Sequence, residues 1–182
     1  MVADIRPARA SDVDALLAIE NAVFHTDRLS RQSFRRLIRR SSAAVLVAEV
    51  GGKVAGYCIV LFRAGNPAAR VYSISTSPDM TGQGVGRALI ETAEMAAVER
   101  GKHSLRLEVR EDNARAISIY ERAGFRLIGN KPDYYQDGMT ALRMEKSLAG
   151  AEPAASGNGK ATFAAGGSFS RLIEQTPRRA SL

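Results

Sequence analysis

Ser73-Ile74-Ser75-Thr76-Ser77-Pro78-Asp79-Met80-Thr81-Gly82-Gln83-Gly84-Val85-Gly86-Arg87-Ala88-Leu89-Ile90 is the stretch on which the fold turns. It reads as the end of a strand, a glycine loop and the start of a helix. Pro78 stops the strand. Val85, Ala88, Leu89, Thr92, Ala93 and Ala96 then recur at helical spacing, which predicts a helix over Gln83–Arg100 closed by Gly101. Three alternate glycines let backbone amides approach a ligand with no Cβ in the way. Those amides sit at a helix N-terminus, where the dipole favours an anion such as a pyrophosphate. A tight strand-to-helix turn is the plainer reading. Two nucleotide motifs are excluded: no Gly-Lys-Ser/Thr is present, and the third glycine follows the second by two residues rather than three.

Upstream, Ala3–Ala8 predicts a strand. Ser11 is a natural cap for a helix whose apolar face is Val13, Leu16, Leu17, Ile19 and Val23. A second helix starts near Ser30, with Phe34, Leu37 and Ile38 inward. Ala43–Val50 and Val54–Arg63 flank Gly51-Gly52 as a hairpin, and Arg70–Ser77 follows as a strand. Downstream, Ser104–Arg110 alternates, with Leu105, Leu107 and Val109 on one face and Arg106, Glu108 and Arg110 on the other. Asn113–Arg122 predicts a short helix, and Phe125–Gly129 and Met139–Leu148 the last strands. The order β-α-α-β-β-β-α-β-α-β-β predicts an α/β fold: a mixed, mostly antiparallel central sheet with helices on both faces.

The 182 residues carry 26 basic and 19 acidic side chains, net +7. Residues 1–148 hold 22 of the basic and 17 of the acidic ones, net +5. They are read as the working domain. Residues 149–182 begin with 22 residues of which 16 are Ala, Gly, Ser or Pro, the composition of a flexible tail. The single cysteine excludes an internal disulfide and points to a reducing, cytoplasmic setting. Apolar runs fall far short of the ~20 residues that span a membrane. Six arginines between Arg28 and Arg40 make a basic patch, read either as a solvated helix face or as an anionic-partner surface. It lacks the interleaved aromatics of a nucleic-acid platform.

Taken together, the glycine loop with Gly84 and Gly86, Leu107-Glu108-Val109-Arg110, Asn113, Ile119-Tyr120-Glu121-Arg122-Ala123-Gly124-Phe125, Tyr134-Tyr135 and Ala141-Leu142-Arg143-Met144 resemble the GCN5-related N-acetyltransferase superfamily. The resemblance is to its ribosomal-protein alanine N-acetyltransferase branch and covers residues 1–148. Thr81 departs from it, standing where the family's loop opens on Gln or Arg.

The resemblance implies direct transfer of acetyl from acetyl-CoA to a primary amine, with no metal. Preferred is a protein N-terminal α-amino group; small amines, lysine side chains and a non-catalytic acetyl-CoA-sensing or nucleic-acid-binding module are the alternatives. Cofactor contacts are expected at Ile74, Ser75 and Thr76 for the pantetheine arm, at Gln83, Gly84, Val85, Gly86 and Arg87 for the pyrophosphate, and at Asn113. Asn113 is otherwise a helix cap.

An amine is mostly protonated at neutral pH, so a base is needed. Glu108 is the candidate; a surface carboxylate paired with Arg106 or Arg110 is the plainer reading. Tyr120 matches the family's general acid, or packs beside Phe125. Phe24, His25, Asp27, Tyr134 and Tyr135 are candidate acceptor contacts. Cys58, mid-strand with no His beside it, reads as a buried apolar residue rather than a nucleophile. A monomer or homodimer is expected.

Overall fold

The computed structural model describes residues 3–148. The tail expected over 149–182 lies outside them. Seven strands form one sheet: β1 (Asp4–Pro7), β2 (Ala43–Val50), β3 (Lys53–Phe62), β4 (Ala68–Thr76), β5 (Ser104–Arg110), β6 (Arg126–Lys131) and β7 (Ala141–Ser147). Their order is β1-β2-β3-β4-β5-β7-β6, and every pairing is antiparallel except β4 with β5. Four helices accompany it: α1 (Val13–Val23), α2 (Arg31–Arg39), α3 (Val85–Glu99) and α4 (Ala114–Arg122).

Strand alternation divides the apolar side chains into two cores. Leu46, Ala48, Val50, Cys58 and Val60 join Val85, Leu89, Ile90 and Ala93 of α3 and Tyr120 of α4 on one face. Val45, Val47, Tyr57 and Ile59 join Leu16 and Ile19 of α1 and Phe34 and Leu37 of α2 on the other. The central strands therefore bury both faces. They read as near-continuous apolar runs because neither face meets water.

Gly56 sets how closely α3 lies against the sheet. A Cβ built there would stand 2.8 Å from the Ser75 carbonyl oxygen, 3.1 Å from Val85 Cγ1 and 3.2 Å from Leu89 Cδ1. Any larger residue would push apart β3, β4 and the start of α3.

One expected cap is corrected. Ser11 lies inside a short 3₁₀ turn, Ala10–Asp12, ahead of α1. The cap position of α1 is Asp12, which makes no side-chain bond to the helix; its carboxylate instead reaches back to the backbone N–H of Arg9, at 2.6 Å. Arg6 fixes that carboxylate with bonds of 2.8 and 3.0 Å. The 3₁₀ turn places Ser11 one residue before the cap position, so its hydroxyl is not positioned as the expected cap. The Arg6 guanidinium also holds the Asp12 carboxyl below its ordinary pKa, against the opposing effect of burial. At α2 the expected cap is present: Ser30 Oγ accepts the Ser33 N–H at 3.1 Å.

The site follows from how β4 and β5 diverge. They pair only at Ala68–Ser104, Ala69–Leu105 and Arg70–Arg106. Beyond that, β4 stays paired to β3 through Thr76, and β5 stays paired to β7 through Arg110. Each strand is held on its outer side while the inner edges separate. An extra residue in β4, where the register slips between Ile59 and Val60 of β3, bends the strand at this place. The gap opens at the C-terminal ends of the two parallel strands, the usual place for a ligand in such sheets.

Candidate active site

The glycine loop leaves β4 and enters α3. Gly82 and Gly84 have φ of +84° and +80°, and an added Cβ at either would meet no atom within 4 Å. Open space thus fronts this backbone. Gly84 caps α3, and its carbonyl accepts from Ala88 N at 3.0 Å. The N–H groups of Val85, Gly86 and Arg87 belong to the first turn, which has no intrahelical acceptors. Gln83 is exposed, with its amide nitrogen 3.3 Å from the Asp79 carbonyl. Arg87 is exposed and pairs with Glu91 at 2.8 Å. Thr81, the departure from the family's loop, donates from Oγ1 to the Ser77 carbonyl at 3.4 Å. A cavity of about 510 Å³ runs from Thr76 along this loop to Ile119 and Arg122 of α4.

Ile74, Ser75 and Thr76 occupy the part of β4 that β5 leaves unpaired. All three are buried, and the Ser75 hydroxyl has no hydrogen-bond partner. Asn113 caps α4, its Oδ1 accepting from Ala116 N at 3.1 Å, so the cap reading holds.

Tyr120 is completely buried, and its ring meets Phe125 edge-on at 5.8 Å. Its hydroxyl has no hydrogen-bond partner. Burial pushes its pKa well up, helped by Cys58 and Tyr135 nearby, so the phenol keeps its proton. Buried hydroxyls are rarely left unbonded in a finished fold. The open glycine backbone and the first-turn N–H groups beside the cavity fit a ligand with a phosphate end, while Ser75 and Tyr120 are not among the residues that line that cavity. Cys58 is fully buried and its thiol is pushed up by burial, which suits a packing residue.

Glu108 lies on the diverging part of β5, with only 7% of its side chain exposed. Its partners are not those expected. Arg106 pairs with Glu145 at 2.8 Å, and Arg110 with Asp112 at 3.0 Å and Asp137 at 2.9 Å. Glu108 instead accepts from Arg70 Nη2 at Oε2 and faces Lys131 Nζ at 3.6 Å from Oε1. The reason is reach across the gap: Arg70 is the last β4 residue paired to β5, one step before the strands part. The same Nη2 donates to the Tyr134 hydroxyl at 3.0 Å. Burial, then the charge of Glu108, pushes the Tyr134 phenol up to about 12, with Arg70 opposing.

Tyr134 and Tyr135 meet edge-on at 5.3 Å on the β6–β7 loop, where the Met139 carbonyl accepts the N–H group of each at 3.2 Å. Arg110 pins this loop to β5 through Asp137 and stacks 5.0 Å from the Tyr135 ring.

The α1–α2 loop carries Phe24, His25 and Asp27. Phe24 is buried and its carbonyl accepts from Arg28 Nε at 2.7 Å. His25 is exposed, and Asp27, at φ +53°, takes a bond from Thr26 at 3.4 Å. Among the described residues no hydrogen bond or ion pair ties His25 or Asp27 to Glu108. The structure thus gathers Glu108 and Tyr134 and lines one cavity with Thr76 and the glycine loop.

Four residues of this region are not among the site candidates named from the sequence. Arg70 and Lys131 hold Glu108. Fully buried Glu20 of α1 accepts from Leu29 N at 2.7 Å and from the Tyr57 hydroxyl, which also lies 3.1 Å from Ser73 Oγ on β4. Glu20 and Tyr57 thereby anchor the α1–α2 loop to the sheet. A signal was present for two of these: Arg70 is the one charged residue in β4, and Glu20 interrupts the apolar face of α1.

Arg35, Arg36 and Arg39 of α2 and Arg40 just after it border a depression of about 380 Å³. Arg28 and Arg31 are occupied locally, with Phe24 and Asp14. Among the described residues no group of three His, Cys, Asp or Glu side chains is placed to hold a metal, and no helix is long and apolar enough to cross a membrane.

Comparison with known proteins agrees with this geometry. The model of the Acetyltransferase (GNAT) family matches residues 12–125. An N-alpha-acetyltransferase from Sulfurisphaera tokodaii is 30% identical over 155 residues, covering 79% of this chain and 92% of that protein. The crystal structure of the ribosomal-protein-S18-alanine N-acetyltransferase from Escherichia coli superposes with a TM-score of 0.72 at 28% identity, covering 89% of this chain and 99% of that one. The PaiA N-acetyltransferase from Thermoplasma acidophilum, solved in complex with coenzyme A, shares the fold with a TM-score of 0.69 at 19% identity, covering 81% and 99%. From the family match over the greater part of its length and from these relatives, the chain belongs to the GNAT family and is an N-acetyltransferase.

Proposed function

We propose that this enzyme transfers acetyl from acetyl-CoA to the α-amino group of a protein N-terminus, by direct attack with donor and acceptor bound together. The observation that carries the reading is the gap between β4 and β5, with buried Glu108 on one wall. The relatives named above, one acting on a ribosomal-protein alanine, support the choice of amine.

Acetyl-CoA supplies the acyl group as a thioester whose thiolate is the leaving group. The N–H groups of Gly84 to Arg87, with Gln83 beside them, hold its pyrophosphate at the positive end of α3. The unpaired edge of Ile74–Thr76 aligns its extended arm, and preplaced backbone donors there stabilise negative charge on the acyl oxygen. Asn113 keeps the start of α4 against the site. Glu108 accepts the proton of the incoming ammonium, directly or through water, so that the free amine attacks. Tyr135, Tyr134 and the loop bearing Phe24, His25 and Asp27 border the acceptor.

Tyr120 assists the thiolate. Full proton transfer from a phenol above pKa ~10 to a thiolate near ~8.5 is uphill by about 2 kcal/mol or more. Tyr120 therefore acts chiefly as a hydrogen-bond donor to the departing sulfur.

The test is a panel of N-terminal peptides, lysine peptides and small amines, scored by acetyl-CoA consumption. N-terminal peptides are expected to give the highest kcat/KM. A panel in which lysine peptides or small amines surpass every N-terminal peptide would overturn the choice of acceptor.

A further inference from the structure

On the wall of the gap that faces the acceptor, the one carboxylate of Glu108 is flanked by two cations. Arg70 Nη2 donates to Glu108 Oε2, and Lys131 Nζ stands 3.6 Å from Oε1. Both oxygens of the carboxylate are thus engaged by cations. Arg70 Nη2 also reaches the Tyr134 hydroxyl, while Arg70 Nε is buried with no hydrogen-bond partner. The Arg70 and Lys131 side chains are 20% and 36% exposed, so both border the opening. Arg70 is the one charged side chain in a strand that otherwise buries small and apolar residues.

This arrangement suits a bare amine poorly. An amine arrives mostly as ammonium. A site with two cations and one carboxylate opposes a third cation, and the base is already shared. An anionic group beside the amine answers both difficulties. It offsets the surplus charge, and it gives Arg70 a second carboxylate. The guanidinium fork matches a carboxylate in two-point geometry, and its unused Nε–H is one of those points. With Arg70 turned to the acceptor, Glu108 Oε2 is free to face the ammonium.

We propose that Arg70, with Lys131, selects acceptors that carry a carboxylate close to the reacting amine. On a protein N-terminus this is an Asp or Glu at the first or second residue; on a small amine it is an α-carboxylate. The proposal rests on Glu108 acting as base in the reaction set out above, and it narrows the substrate class of that site.

The experiment measures kcat/KM for N-terminal peptides that differ only by Glu or Gln, or Asp or Asn, at positions one and two. A second set compares free amino acids with their α-amides. The wild-type enzyme is expected to favour the charged member roughly ten- to a hundredfold. Arg70→Gln brings that ratio close to one, and Arg70→Lys retains part of it, since the charge stays and the fork is lost. A thermal melt checks that Arg70→Gln folds; if it does not, the more exposed Lys131→Gln lowers the ratio several-fold instead. Equal kcat/KM for charged and neutral members of both sets overturns the proposal while leaving N-terminal acetylation standing. A charge preference that survives the substitutions overturns it as well. A preference found only among free amino acids supports the role of Arg70 and removes the protein N-terminus as acceptor.

Discussion

Tyr57 and Tyr120 are both fully buried, yet removing their hydroxyls is expected to act in opposite directions. The Tyr57 hydroxyl donates to the Glu20 carboxylate and lies 3.1 Å from Ser73 Oγ. Tyr57→Phe deletes a hydrogen bond to a charged group and leaves Glu20 with less compensation in a dry site. A loss of about 2–3 kcal/mol is expected. For a domain of this size that is a fall in Tm of roughly 5–10 °C. The Tyr120 hydroxyl has no partner in the fold. Tyr120→Phe removes an unsatisfied buried group, and stability should stay level or rise by up to about 1 kcal/mol. Its turnover should nevertheless fall about a hundredfold, the usual effect of losing one placed donor. Thermal melts without ligand, followed by initial rates with acetyl-CoA and a peptide acceptor, measure both. A loss of 1 kcal/mol or more in Tyr120→Phe would show that the hydroxyl serves the fold. Undiminished turnover would leave Tyr120 a packing residue beside Phe125.

Two further outcomes follow from packing and charge. Gly56→Ala places a methyl 2.8 Å from a backbone oxygen of β4 and 3.1 Å from Val85, so it should cost about 1–3 kcal/mol and weaken acetyl-CoA binding, because both walls of the groove must shift; unchanged melts and titrations would contradict the close approach. Asp12 has its pKa lowered in the fold, chiefly by Arg6, so its contribution is present above the unfolded value and is lost as pH falls through the folded one. Asp12→Asn should therefore be less stable than wild type near neutrality, with the difference beginning to shrink below about pH 4 and closing as pH falls through the lowered folded value in acid-unfolding curves.

Much of the fold was legible because its signals are local. Periodicity marked α3 and β5, Gly51-Gly52 marked the hairpin, and Ser30 marked the start of α2. The site was legible only in part. Gly84, Glu108 and Tyr120 are carried by motifs along the chain, and a motif can be read without knowing what lies opposite. Glu108's partner is different: Arg70 lies 38 residues away and meets it only because β4 and β5 part after three paired residues. That divergence is a property of register, which a composition of apolar residues does not encode. Ser11 shows the same limit at short range, since the 3₁₀ turn over Ala10–Asp12, tied back by Asp12 to Arg9 N–H and Arg6, moves the start of α1 one residue past it. The meaning of Gly56 lies in the Ser75 carbonyl across the ladder, which the strand sequence Val54–Arg63 does not reveal.

The central claim is that Glu108, buried in the gap between β4 and β5, takes the proton of the acceptor amine. Initial rates of wild type and Glu108→Gln with one N-terminal peptide, from about pH 6 to 9, test it most directly, since an α-amine loses its own proton near pH ~8. The wild-type advantage should be largest at the acid end, where the amine is charged, and shrink as the pH passes the amine's pKa. An advantage that is absent, or constant across that range, would contradict Glu108 as the base.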